Sequence, residues 1–164
     1  MGYRSISNLY KDQDILLFKE AYGTEKVHGT SQHISWKKDR NPQLTFSSGG
    51  EKYEKMVTLF DQAALTEGFL KSGLDEATVF GEGYGGKCQG MSATYGKELR
   101  FIAFEVCVGE HCWLNVPDAC KFVTDLGLEF VPYVKVSTDL ATLDAWRDAP
   151  SLVACLRGVS TLYG

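Results

Sequence analysis

Glu25-Lys26-Val27-His28-Gly29-Thr30-Ser31 is the stretch on which the reading of this 164-residue chain turns. It sets a lysine beside a histidine and a glycine, between residues that suit a strand. An amine is a nucleophile only when neutral. With a reference pKa of about 10.4, roughly one lysine amine in 2,500 is neutral at pH 7, a gap of about 4.6 kcal/mol. Burial or nearby positive charge narrows that gap, and lysines tuned in this way form covalent intermediates. Gly29 lets backbone come close to a bound nucleotide. Lys-x-x-Gly alone is common, and a surface lysine before a turn would read the same, so the rest of the chain has to decide.

The bulk composition narrows the classes. The length suits one domain, 1–164, with enough chain for a core. At 44% hydrophobic and 23% charged residues, the composition is that of a globular protein. The net charge of −4 argues against a generally basic nucleic-acid binder, so any RNA contact has to rest on a local patch. Cys88, Cys107, Cys112, Cys120 and Cys155 form no Cys-x-x-Cys pair, and Cys107, His111 and Cys112 lack the paired spacing of a zinc site. They read as reduced structural thiols in a cytoplasmic protein. No signal peptide stands out, and no apolar run is long enough to span a membrane.

Along the chain, Tyr3, Leu9 and Tyr10 are anchors in a polar start, and Ile15–Phe18 reads as a short buried strand or a helical turn. Gln32–Trp36 and Leu44–Phe46 read as strands of an antiparallel meander, turning at Asn41-Pro42. Tyr53, Met56, Val57 and Phe60 share one helical face, with Ser48 and Glu51 spaced for a capping box. Residues 63–70 extend that helix or form a second. Leu99–Val108 is a strong strand, with Cys112–Leu114 able to fold back on it. Pro117 and Gly127 bracket a helix over 117–126. Glu129–Val136 is a strand interrupted by Pro132, and Thr138 caps a helix through Arg147, with Leu140 and Leu143 inward.

Two further motifs accompany the lysine. Gly81-Glu82-Gly83-Tyr84-Gly85-Gly86 has too many glycines for an ordinary strand interior. It matches the dinucleotide pattern Gly-x-Gly-x-x-Gly only superficially, because no helix pattern follows it directly. Phe101-Ile102-Ala103-Phe104-Glu105-Val106 places an aromatic ring before an acid on a strand. Lysine, glycine-glutamate and aromatic-acid motifs follow one another at separations of 56 and 23 residues (Lys26 to Glu82, Glu82 to Glu105). In this order and spacing they resemble the motifs of ATP-dependent RNA ligases, members of the covalent nucleotidyltransferase superfamily. The His two residues after the lysine is most similar to the branch that contains the phage nick-sealing enzymes. DNA ligases and capping enzymes usually have Asp there.

The resemblance implies an α+β fold: the antiparallel-sheet nucleotidyltransferase (adenylation) domain of covalent ligases, here its N-terminal portion. It implies Lys26 as the catalytic residue that takes up AMP. Glu25, Val27, His28, Gly29, Glu82, Phe104 and Glu105 would bind the nucleotide, Phe104 stacking on adenine and Glu105 pointing alternately to it into the polar side of the site. Glu82 would contact ribose or hold metal-bound water. ATP and Mg2+ are the implied cofactors, RNA 5′-phosphate and 3′-hydroxyl ends the partners, and RNA repair the setting. The family's arginine after the first motif has no clear counterpart except Arg40. Residues 130–164 hold no glutamate and one lysine, Lys135, and no Lys-x-Lys occurs. The family's later motifs are therefore expected to be missing, with Arg157-Gly158-Val159-Ser160 resembling the approach to them, and the chain alone is expected to be inactive in sealing. Two other readings compete: a non-catalytic nucleotide- or RNA-binding module, and a DNA ligase or capping-type enzyme.

Overall fold

The computed structural model describes residues 3–50 and 52–158. Its elements in chain order are β1 (Glu20–Thr24), β2 (Thr30–Lys37), β3 (Leu44–Ser48), α1 (Tyr53–Val57), α2 (Gln62–Ser72), β4 (Glu76–Gly85), α3 (Ser92–Tyr95), β5 (Leu99–Val108), β6 (Cys112–Trp113), α4 (Val116–Asp125), β7 (Tyr133–Ser137), α5 (Leu140–Arg147) and α6 (Leu152–Leu156). A five-stranded antiparallel sheet runs in the order β3-β2-β4-β5-β6, and β1 pairs with β7 in a separate two-stranded ribbon.

The expected α+β architecture holds, and its layers follow from the alternation of side chains along the strands. Ile34 and Trp36 on β2, Ala77 and Val79 on β4, and Phe101, Ala103 and Val106 on β5 form one core with Leu65 and Phe69 of α2 and Ala119 and Val123 of α4. Trp36 stacks on Phe69 at 5.4 Å between ring centres. The opposite face of the sheet carries His33, Phe80, Glu82, Tyr84, Ile102 and Phe104. It receives a smaller cluster made by Val27, Tyr84, Tyr95, Ile102, Val131, Val153 and Ala154, on which Phe104 packs.

Several local expectations change. Residues 14–17 form an exposed 3-10 turn rather than a buried strand, with Leu17 82% exposed. Ser48 ends β3 and makes no cap. The first residue before α1 is Lys52, without a side-chain cap bond, and Glu51 lies outside the described residues. Residues 62–72 form a separate helix, capped by Asp61, which accepts from the Ala64 amide, and closed by Gly73 at φ 72°. The glycine-rich stretch is continuous strand through Gly85. Its glycines serve close packing: a Cβ on Gly81 would stand 2.5 Å from the Phe101 ring and from the Ile102 carbonyl oxygen, and one on Gly83 would stand 2.6 Å from Gln32 Cδ. Residues 129–136 divide at Pro132 into a single bridge from Phe130 to Ala103 and strand β7. Asp139, not Thr138, caps α5, and Leu140 is 54% exposed. Thr138 is buried and donates to the Phe18 carbonyl.

Candidate active site

The lysine loop, residues 25–29, joins β1 to β2 and is held from several sides. The Glu25 amide donates to the Pro132 carbonyl at 3.0 Å. Val27 is 4% exposed, in the smaller cluster. The His28 amide donates to Tyr95 Oη at 3.4 Å. Gly29 lies against β4 so closely that a Cβ there would overlap the Gly83 carbonyl oxygen and crowd Glu82 Cγ at 3.1 Å. No other residue fits that approach. With its neighbours pinned inward, Lys26 is exposed.

Glu82 is brought to this loop by the β2–β4 register, which pairs it with Ser31. Its carboxyl is shifted above the ordinary value of 4.5. Partial burial drives the shift, against the charge of Lys26, a hydrogen bond from the Gly29 backbone and the charge of His28. Lys26, His28, Gly29 and Glu82, which lie 56 residues apart at the extremes, therefore form one constellation.

Phe104 and Glu105 do not alternate as expected. The β4–β5 register shifts between Phe80 and Gly81, so that Glu105 pairs with Phe80 and Ala103 with Gly81, leaving Phe104 as an extra residue. Such a bulge re-aims side chains. It turns Phe104 and Glu105 toward the same face, between Ala103 and Val106 of the main core. Tyr3 touches both. Its ring meets Phe104 edge-on at 5.0 Å, and its hydroxyl donates to Glu105 Oε2 at 2.6 Å. Burial and the Glu105 carboxylate push the Tyr3 phenol up. Arg4 donates to Glu105 Oε1 at 3.1 Å and stands 4.6 Å over the Trp113 ring. Glu105 is thus engaged by the N-terminal segment, and His33, against Phe80 at 5.6 Å, has its pKa lowered chiefly by burial.

Glu25 is also engaged. Its carboxylate accepts from Ser151 Oγ at 2.5 Å and from the amides of Leu152 and Val153 at 3.0 and 3.2 Å. Arg40 is not in the site. β2 carries the chain away from the lysine loop for eight residues, about 25 Å at the usual strand rise, and Arg40 lies in the turn beyond its far end. The end of β3 next to the loop carries Ser47 and Ser48, with the Gly49 amide donating to Ser31.

Sequence reasoning missed the roles of Arg4, Tyr95, Ser151 and Arg157, and it named Tyr3 only as an anchor. Arg157 donates to Tyr84 Oη through Nε at 3.0 Å and Nη2 at 2.5 Å, and to Glu129 at 2.5 Å, placing a cation beside the strand that bears Glu82. Arg157 stood only in a string read as the approach to a later motif and the others in none, so long-range packing is what exposes their roles. Among the described residues no three His, Cys, Asp or Glu side chains converge as a metal site. No helix of the described residues is long and apolar enough to cross a membrane.

No protein-family model matches the chain, and no curated protein does. Solved structures do. A variant of Naegleria gruberi RNA ligase in its apo form superposes with a TM-score of 0.68 at 16% identity, over 90% of this chain and 46% of that one. The same ligase with pyrophosphate gives 0.66 at 18%, over 84% and 43%. A variant with ATP and Mn gives 0.64 at 16%, over 83% and 43%. At such identity the likeness is one of fold. The chain shares the fold of part of these RNA ligases and spans less than half of their length.

Proposed function

We propose that this chain is the nucleotide-attaching part of an ATP-dependent RNA ligase, with Lys26 as the residue that takes up AMP. The observation that carries this reading is the exposed Lys26 on a pinned loop, with Glu82 delivered to it across the sheet. In the proposed step the Lys26 Nζ lone pair attacks the α-phosphorus of ATP. An N–P bond forms, the bond to the bridging oxygen breaks, pyrophosphate leaves and the amine proton passes to solvent. An oxygen of an RNA 5′-phosphate then attacks that phosphorus, the N–P bond breaks, and Lys26 leaves as the amine with a proton taken from solvent. Finally an RNA 3′-hydroxyl displaces AMP and closes the phosphodiester.

The residues present fit a nucleotide. The ring of Phe104 suits a base, while Gly29, packed against β4, and Val27 and His28 shape the loop. The carboxylate of Glu82 accepts from a ribose hydroxyl or holds water on a divalent ion. Mg2+, when bound, would neutralise phosphate charge and orient the leaving group, and Glu82 is the side chain here suited to its water shell. Glu105 stands beside Phe104 and is held by Tyr3 and Arg4. His28 is not assigned as the general base.

The alternative reading is a nucleotide-binding module without catalysis. Labelling separates the two. A longer chain containing these residues, incubated with labelled ATP and Mg2+, is expected to take up acid-labile label. Lys26→Arg is expected to abolish it, since guanidinium stays protonated. Equal labelling of that variant removes Lys26 from the chemistry, and label from GTP rather than ATP points to a capping-type enzyme.

A further inference from the structure

The residues on either side of Lys26 are both attached to one short helix. Glu25 turns its carboxylate away from the cleft onto the first turn of α6. There Oε1 accepts from Ser151 and Oε2 from the amides of Leu152 and Val153. Val27 is buried with Val153 and Ala154 of the same helix. Alternation along the extended loop then sends residues 25 and 27 inward and residue 26 outward.

The amides at the start of a helix have no partner within it, and an anionic acceptor there makes short, charge-assisted bonds favoured by the helix dipole. Ser151 adds its own cap, accepting from the Ala154 amide at 3.0 Å. Both oxygens of Glu25 are thus occupied. Three of its roughly four acceptor sites are taken by α6.

We infer that Glu25 is a positioning residue: through its carboxylate α6 fixes where the Lys26 amine stands in the cleft. The inference rests on Lys26 as the proposed nucleophile, but its test needs no nucleotide. Moving or loosening α6 is expected to move the amine. The lysine loop is then mounted partly on residues 151–154, some 125 positions away in the chain (Glu25 to Ser151 is a separation of 126).

The test compares wild type with Glu25→Gln, Glu25→Ala and Ser151→Ala. Each is pulse-acetylated with an amine-selective reagent at a series of pH values. Mass spectrometry reads the rate at Lys26 against Lys71 on α2, and thermal unfolding is followed alongside. The expected result is a Lys26 acetylation rate, relative to Lys71, that changes in the Glu25 variants at each pH tested. Ser151→Ala is expected to give a smaller change in the same direction, with Lys71 unmoved throughout. Adding Ser151→Ala to Glu25→Ala is expected to do little more, since the two share the same bonds. Should the folded variants show a lower unfolding midpoint while the Lys26 curve stays as in wild type, Glu25 is only a cap and the inference falls. If Glu25→Ala fails to fold, Glu25→Gln and Ser151→Ala are judged by the same criterion. A Lys26 that responds in this test but takes no AMP from ATP would sink the ligase reading and leave the positioning intact.

Discussion

Glu82 holds its proton more tightly in the fold than in water, because partial burial outweighs the charges of Lys26 and His28 and the Gly29 bond. The consequence for stability has a definite sign. Below about pH 3 both the folded and unfolded states keep the proton and burial of Glu82 costs nothing. As pH rises through the ordinary value and on through the higher folded one, the unfolded state ionises more readily. Stability is lost over that window and then levels off. Glu82→Gln is therefore expected to raise the thermal midpoint at pH 7 and to lose that advantage near pH 3 (about four units lower), while impairing AMP uptake. A variant less stable than wild type at neutral pH would show that the carboxylate is welcome in the fold. Phe104 carries a separate expectation. If its ring faces adenine, Phe104→Ala weakens ATP binding by about 1–3 kcal/mol, the usual weight of a stacked base, and Phe104→Tyr retains most of it. Calorimetric titration reads both. An alanine variant that binds ATP as wild type does, yet unfolds earlier, assigns the ring to Tyr3 and the smaller core alone.

At the scale of elements, β4 is the strand on which the site is built. It pairs with β2 to set Glu82 beside the lysine loop, and with β5 to set the bulge that turns Phe104 and Glu105. Its glycines make this possible, since the Phe101 ring lies where a Gly81 side chain would stand. Gly81→Ala is therefore expected to destabilise the protein by about 1–3 kcal/mol, as overpacking of a filled core does. Urea denaturation measures it, and a change of under about 0.5 kcal/mol, the range of ordinary surface substitutions, would show that the neighbouring ring can swing aside. The sequence alone suggested that so many glycines do not make a strand. The rule failed here because these glycines receive side chains from neighbouring strands, which no count along the chain can reveal.

At the scale of the whole molecule, the sheet separates a packed face from a working face. α2 and α4 close the first. The lysine loop, the N-terminal segment and α6 frame the second. The described residues place Lys26 and Arg157 near this face, together with Arg4 on Glu105, and the sequence contains no Lys-x-Lys. Phosphoryl transfer depends on positioning and charge neutralisation. The 164-residue chain by itself is accordingly expected to bind ATP weakly, to label itself poorly and not to join RNA ends. Gel assays with a nicked RNA duplex and with single strands check this, and strand joining by the pure 164-mer would show that residues already present neutralise the phosphates.

The sequence by itself determined most strand and helix positions and the order of three motifs, and the resemblance those motifs carry implied the α+β class. The positions and motifs are local properties: side-chain period, turn residues, and short strings that one loop or strand must contain. Leu99–Val108 with its return at Cys112, and the Val116–Asp125 helix between Pro117 and Gly127, were legible for that reason. Tertiary structure alone decided that β1 pairs with β7 and that Phe104 and Glu105 share a face. It alone decided that Glu25 serves α6 and that Tyr3 reaches Glu105. Each of those outcomes depends on partners about a hundred or more residues apart, or on a register shift between strands. Such pairings are chosen by the fit of whole surfaces, so nothing in the neighbouring residues announces them.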